Sequence, residues 1–121
     1  MKRILVVDDS EMVRKFYSYV LGHAGYETEV AEDGVMALEQ LYQSSFDLLI
    51  TDVNMPRMDG FSLIREVRAD ERFAALPLFI LSTEDGIRDR ADGMGLGASL
   101  YLVKPSDPEH LLASVRGVLE G

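Results

Sequence analysis

Three aspartates stand directly after short apolar runs. Asp8 and Asp9 follow Arg3 to Val7 (RILVV), and Asp52 follows residues 47–51 (DLLIT). Ser82 and Thr83 follow residues 78–81 (LFIL), and Lys104 closes residues 99–103 (SLYLV). Brought together, three carboxylates repel one another, and ionising all of them is costly unless a cation joins them. Hard oxygen ligands select Mg²⁺ or a similar ion, which commonly bridges carboxylates to a phosphate. Lys104 supplies a compact charge suited to a phosphoryl oxygen or to Asp52, and the Ser82 hydroxyl could bond a second phosphoryl oxygen. A carboxylate can serve as the nucleophile that forms an aspartyl phosphate, with metal and ammonium spreading the charge that builds up. Taken singly, each of these residues has a plainer reading. Asp-Asp after a strand is usually a turn or helix cap, Asp52 opens a loop rich in turn formers, and a Lys before Pro is usually a solvated strand end. The chemical reading depends on the residues meeting.

The elements between them supply the reason to meet. Arg3 to Val7 is continuously apolar after its first residue, as expected of a strand buried on both faces. Ser10 is a helix cap, followed at helical spacing by Met12, Val13, Phe16, Tyr17, Val20 and Leu21, with Gly22 and Gly25 ending the helix. Tyr26 to Ala31 alternates as a second strand, and Asp33-Gly34 turns into a helix carrying Val35, Ala37, Leu38 and Leu41. A third strand ends at Asp52, and Phe61, Leu63, Ile64 and Val67 form the next helical stripe. Leu78 to Leu81 and Ser99 to Val103 are strands four and five, with a glycine-interrupted stretch between them. Asp107 caps a last helix with Pro108 at its first position, and Leu111, Leu112, Val115, Val118 and Leu119 are assigned to its inner face. Five strand–helix repeats with apolar strands predict an α/β fold: a doubly wound five-stranded parallel sheet with five helices. Ligands in such folds lie beyond the carboxyl ends of the strands, which is where the Asp, Ser and Lys residues stand.

Composition narrows the field. The 121 residues carry 12 basic and 21 acidic side chains, a net charge of −9, and no Cys. That length fits one domain, here taken as residues 1–121. Without Cys there is neither a disulfide framework nor a thiolate metal site. The acidic balance disfavours direct nucleic-acid binding. No leader or membrane-length apolar run is found, so the chain is expected in the cytoplasm without membrane insertion.

ILVVDDS near the start, DLLITDVNMPRMDG in the middle, and LS followed later by YLVKP resemble, in order and spacing, the receiver domain of two-component response regulators, the CheY-like family. The resemblance covers essentially the whole chain. It implies the flavodoxin-like strand order 2-1-3-4-5, with Asp52 as phosphoacceptor and Mg²⁺ held by Asp8, Asp9, Asp52 and the backbone carbonyl of Asn54. It further implies that Lys104 contacts the phosphoryl group, that Ser82 moves toward it, and that the Tyr101 ring swings inward with that movement. Tyr101 can equally be read as a half-buried strand aromatic. A cis Lys104–Pro105 bond is also implied. By the same resemblance, Asn54 and Glu84 stand at positions that flank the phosphoryl site in this family and bear on its lifetime. The bulk of Thr83, where a smaller residue is common, bears on access to it. Ser82 stands where Thr is more usual, and Ser106 where an aromatic is common.

The partners so implied are a sensor histidine kinase or phosphotransfer protein and a downstream target protein. The target would be reached through the face from Gly86 to Leu119, where Gly86 to Met94 reads as a short, weakly stable helix able to shift. Because the chain ends soon after the fifth helix, a stand-alone chemotaxis-type switch is expected, the alternative being a receiver cut from a larger regulator with an output domain. A nucleotide- or flavin-binding protein on the same sheet is disfavoured by the acidic, Gly-free DDSEM loop. A phosphatase with an Asp nucleophile is disfavoured because the Asn54 amide cannot titrate as a general acid–base. The chain is therefore expected to catalyse only its own phosphoryl transfer and dephosphorylation.

Overall fold

The computed structural model describes residues 1–83, 87–104 and 107–120, with the side chains of residues 87–89 left aside. The strands are β1 (Arg3–Val7), β2 (Glu27–Ala31), β3 (Leu48–Thr51), β4 (Leu78–Ser82) and β5 (Leu100–Val103). Between and after them run α1 (Glu11–His23), α2 (Gly34–Gln43), α3 (Gly60–Ala69), α4 (Ile87–Gly95) and α5 (Pro108–Leu119), with a 3-10 turn at Glu71–Phe73. All four pairings are parallel, as the apolar strands predict, and the order across the sheet is β2-β1-β3-β4-β5, as the family resemblance implies.

Alternate strand residues feed two separate cores. Leu5, Val7, Leu49 and Ile80 point to the face covered by α2 and α3, where Ala37, Leu41, Leu63 and Ile64 meet them. Ile4, Val6, Ile50 and Phe79 point to the other face, covered by Tyr17 and Leu21 of α1 and by Leu111 and Val115 of α5. Because both faces are covered, the strands are apolar without alternation. Register places the ends of β1 and β3 side by side: Val7 pairs with Thr51. Asp8 and Asp52 therefore leave the sheet as neighbours at the point where strand order reverses.

Several expectations require correction. Gly22 lies within α1, which runs on to His23, while Gly25 takes the positive φ of 97° that the turn needs. On α1 the residues packed inward are Val13, Tyr17 and Leu21, whereas Met12 and Phe16 are exposed. The apolar positions around α1 form a band wider than the sheet can cover. On α5, Val118 is likewise exposed. Ser82 is the last residue of β4 rather than the first beyond it.

α4 runs one residue further than expected. Its Gly93 is not simply a weak point, because a Cβ there would meet Ile80 Cδ1 and approach Phe61 and Tyr101 within 3.4 Å. The glycine lets the helix lie directly on the sheet.

Candidate functional site: an acidic pocket at the strand ends

Each acidic side chain is placed by the element before it. β1 delivers Asp8, whose amide donates to the Ala31 carbonyl at 3.1 Å, and β3 delivers Asp52, whose amide donates to the Val7 carbonyl at 2.9 Å. The sheet ladder thus continues one residue past each strand and fixes both aspartates against β1 and β2. One carboxylate oxygen from each of Asp8, Asp9 and Asp52 lies within 4.8 Å of the others. Asp8 is buried and Asp9 exposed, so the cluster opens outward on the Asp9 side.

The oxygens have defined partners. Asp8 Oδ1 accepts the Ser10 amide at 2.9 Å, while the Asp8 carbonyl accepts Arg14 Nη1 at 2.8 Å. Asp52 Oδ1 accepts the Val53 amide at 2.7 Å. Lys104 Nζ is hydrogen-bonded to Asp8 Oδ2 and lies 3.3 Å from Asp52 Oδ2, so one ammonium links the two buried carboxylates. Lys104 is delivered by β5, with its amide donating to the Ser82 carbonyl at 2.7 Å.

Electrostatics follow from this packing. Burial pushes the Asp52 carboxyl above its ordinary value, reinforced by the Asp8 charge and opposed by Lys104. Burial works against the Lys104 ammonium, but the bond to Asp8 and the charge of Asp52 outweigh it and raise its pKa. One ammonium cannot balance three carboxylates. A hard-oxygen cluster that retains negative charge around a partly open centre fits Mg²⁺ by both charge and donor type.

The remaining predicted residues divide three ways. Ser82 is fully buried, on the strand beside the one that delivers Lys104, while Thr83 and Asn54 are exposed. Tyr101 lies inward, at 4 % exposure, with the Arg90 guanidinium 5.1 Å from its ring centre. The ring is thus already inward in this structure and more deeply buried than a half-exposed strand aromatic. Glu84, Pro105 and Ser106 lie outside the described residues, and so do the cis bond and the first residue of the proposed output face.

Sequence reasoning missed the groups that hold the loop after Asp52. Gly60 donates its amide to the Val53 carbonyl at 2.8 Å, and a Cβ on Gly60 would collide with the Asp52 carbonyl. Arg57, at φ 65°, pairs with buried Asp33 on the β2–α2 turn. DG pairs at 33–34 and 59–60 were visible as turn and cap signals, but nothing at Arg57 announced a partner.

Comparison with known proteins agrees with this geometry. Residues 4–116 match the family model described as the response regulator receiver domain. The chain is 38% identical over 119 residues to the DNA-binding dual master transcriptional regulator RpaA of a Synechocystis strain, covering 98% of this chain and 49% of that protein. It is 42% identical to the response regulator MprA of Mycobacterium ulcerans, covering 97% and 50% respectively. The chain therefore spans about half the length of the curated relatives it matches. Among solved structures, the chemotaxis protein CheY4 of Vibrio cholerae superposes with a TM-score of 0.93 at 41% identity, covering 98% of this chain and 99% of that one.

Proposed function

Since the chain belongs to the response regulator receiver domain family, we propose that it is a phosphorylation-activated switch in which Asp52 accepts a phosphoryl group from a histidine kinase or phosphotransfer protein. The observation that carries this reading is the convergence of Asp8, Asp9 and Asp52 with Lys104 at one sheet edge.

In the proposed reaction a carboxylate oxygen of Asp52 attacks the phosphorus of a phosphohistidine. The new P–O bond forms as the P–N bond breaks; the electron pair returns to the imidazole, which takes a proton from solvent. Asp8, Asp9, Asp52 and the Asn54 carbonyl would hold Mg²⁺, which when bound spreads charge on the phosphoryl oxygens. Lys104 already spans Asp8 and Asp52, so exchanging its Asp8 bond for a phosphoryl oxygen brings the ammonium to the product without moving β5. In hydrolysis water attacks phosphorus as the P–O bond to Asp52 breaks; the water gives up a proton to solvent, and orthophosphate leaves with the carboxylate restored. Thr83, Asn54 and Glu84 would govern the approach of that water.

The added charge of roughly −1.5 to −2 would draw Ser82 and rearrange the Gly86-to-Leu119 face for a target protein. On this reading the domain turns over no outside substrate, contacts no nucleic acid itself and works in the cytoplasm. Among the described residues no helix is long and apolar enough to cross a membrane.

A second reading is favoured by the length of the curated relatives: the chain would be the receiver part of a longer regulator rather than a stand-alone switch. The full reading frame distinguishes the two. The central claim is tested by mass after incubation with a small phosphodonor and Mg²⁺. The expected result is a gain of one phosphoryl group that Asp52→Asn abolishes; a gain that survives Asp52→Asn would sink the assignment.

A further inference from the structure

The loop from Asp52 to Asp59 is fastened at a point that no step of the proposed chemistry uses. Arg57 adopts φ 65°, a left-handed conformation that costs a side-chain-bearing residue about 1 kcal/mol or more. The Met58 amide donates to the Pro56 carbonyl at 2.7 Å, closing a three-residue turn with Arg57 at its centre. Glycine or asparagine would meet that backbone demand more easily, so the arginine side chain needs its own explanation.

Its guanidinium supplies one. Arg57 Nε donates to Asp33 Oδ2 at 2.7 Å, and Nη2 lies 2.5 Å from the same oxygen. Asp33 is among the few buried charged residues, and its other oxygen caps α2 by accepting the Met36 amide at 2.9 Å. Beside this pair, the Gly34 amide donates to the Met58 carbonyl at 3.2 Å, and a Cβ on Gly34 would come within 2.7 Å of Met58 Cγ. The loop is therefore bound by an ion pair and a backbone bond to a turn that follows a different strand. Gly60 and Val53 close its other end.

We propose that Arg57 and Asp33 form a strap that positions the Asn54 carbonyl and Asp52 for the metal, Arg57 being a positioning residue that does not itself touch the reacting groups. The proposal rests on the receiver reading above. Asn54 is itself exposed but stands between buried Val53 and Met55, which packs against the core, with the Asp52–Val53 bonds on one side and the Arg57 turn on the other. The Arg57 turn adds to this restraint on the Asn54 carbonyl, and a carbonyl held in advance is a better ligand because fixing it at the moment of binding costs conformational entropy. Choosing Arg at a left-handed position fits this role: some backbone strain is accepted to gain an ion pair with a buried partner.

The test separates backbone strain from the ion pair. Arg57→Gly relaxes the backbone and removes the guanidinium; Asp33→Ser keeps a helix cap and removes the charge. Calorimetric titration with Mg²⁺ is expected to show each variant binding about tenfold more weakly, at the low end of what loss of a group that orients metal ligands costs. The double variant should be little weaker than either single one, because both remove the same contact. Half-maximal labelling by a small phosphodonor should need correspondingly more Mg²⁺, with excess Mg²⁺ restoring it. In metal-free buffer, amide exchange over residues 54–58 should quicken in both variants. Unchanged Mg²⁺ affinity in Arg57→Gly, or losses that simply add in the double variant, would overturn the strap. If the native chain neither binds Mg²⁺ nor is labelled, the receiver reading fails instead. The strap is then judged by exchange alone, and unchanged exchange over residues 54–58 overturns it.

Discussion

Gly60 opens α3 and Gly93 lies inside α4, and each is pressed against the sheet, but they meet different kinds of atoms. A Cβ on Gly60 would run into the Asp52 carbonyl and stand 2.9 Å from Val53 Cα, all backbone; one on Gly93 would run into the tip of Ile80 and graze two aromatic rings. The difference extends to the surroundings. At the ends of β1 and β3 the chain is locked by main-chain bonds and by the ion pair of Arg57 with buried Asp33, which suits the proposed role of Asp52 as nucleophile. At the ends of β4 and β5 one main-chain bond, from the Lys104 amide to the Ser82 carbonyl, joins the strands, but the described contacts that α4 makes with the sheet come from side chains, which can exchange partners without breaking it. Gly60→Ala should therefore cost about 3 kcal/mol, because backbone must move. Gly93→Ala should stay within about 1 kcal/mol of native, the gain in helix propensity offsetting a shift of the Ile80 tip. Urea denaturation of both variants measures this, and equal losses would break the comparison.

Lys104 joins the two regions, since it is carried by β5 and spent on Asp8 and Asp52. Lys104→Ala should lower stability by about 2 kcal/mol in metal-free buffer, because it leaves two largely buried carboxylates without their cation. Mg²⁺ should then stabilise the variant more than the native chain, since a ligand that binds only the folded state compensates the exposed need. Thermal midpoints with and without Mg²⁺ check the sign, and an equal gain in both proteins would show that Lys104 does not compete for the same charge.

A smaller effect probes the lock on the first region by pH. Burial raises the Asp33 carboxyl, but the Met36 amide and the Arg57 guanidinium outweigh it and hold it below its ordinary value of 3.8. A carboxyl depressed in the folded state stabilises the fold above the unfolded value, and loses that contribution as pH falls through the folded one. Asp33→Asn keeps a capping side chain but cannot ionise. Native should thus exceed Asp33→Asn by about 1 kcal/mol near neutrality, a modest figure because Arg57 is half exposed. The gap should close below pH 3.8, and a gap unchanged by acid would remove the ion pair from the account.

What the sequence disclosed follows the same division. Asp8, Asp9, Asp52, Ser82 and Lys104 could be placed together because each ends or follows an apolar strand and parallel strands end at one edge. The strap could not, because Arg57 and Asp33 are 24 residues apart on two turns and an arginine carries no signal for positive φ. Val118 was misassigned to the inner face of α5 for a related reason: periodicity counts apolar residues around a helix without showing which arc the sheet covers. Gly93 illustrates a third limit. Composition sees a helix-weakening residue, whereas packing against Ile80 and Tyr101 gives the glycine a reason to be there.

The smallest effect concerns the second region alone. The Arg90 guanidinium stands 5.1 Å from the centre of the Tyr101 ring, and Nη1 reaches the Tyr101 carbonyl at 3.4 Å. The ring is buried against α4 at Gly93, so packing holds it inward and the cation adds a cover on one side. Arg90→Ala should reduce stability by only about 0.5 kcal/mol, the usual scale for an exposed cation over a ring. Its consequence should be local: amide exchange over Leu100–Val103 should rise about twofold, matching that energy, while exchange at the ends of β1 and β3 stays as in the native chain. Adding a beryllofluoride mimic of the phosphoryl group with Mg²⁺ should then change β5 exchange less in the variant than in native, because part of the restraint is already gone. If Arg90→Ala instead quickens exchange around Asp52, the two regions are one mechanical unit, and the contrast between a locked acidic site and an adjustable α4–β5 face fails.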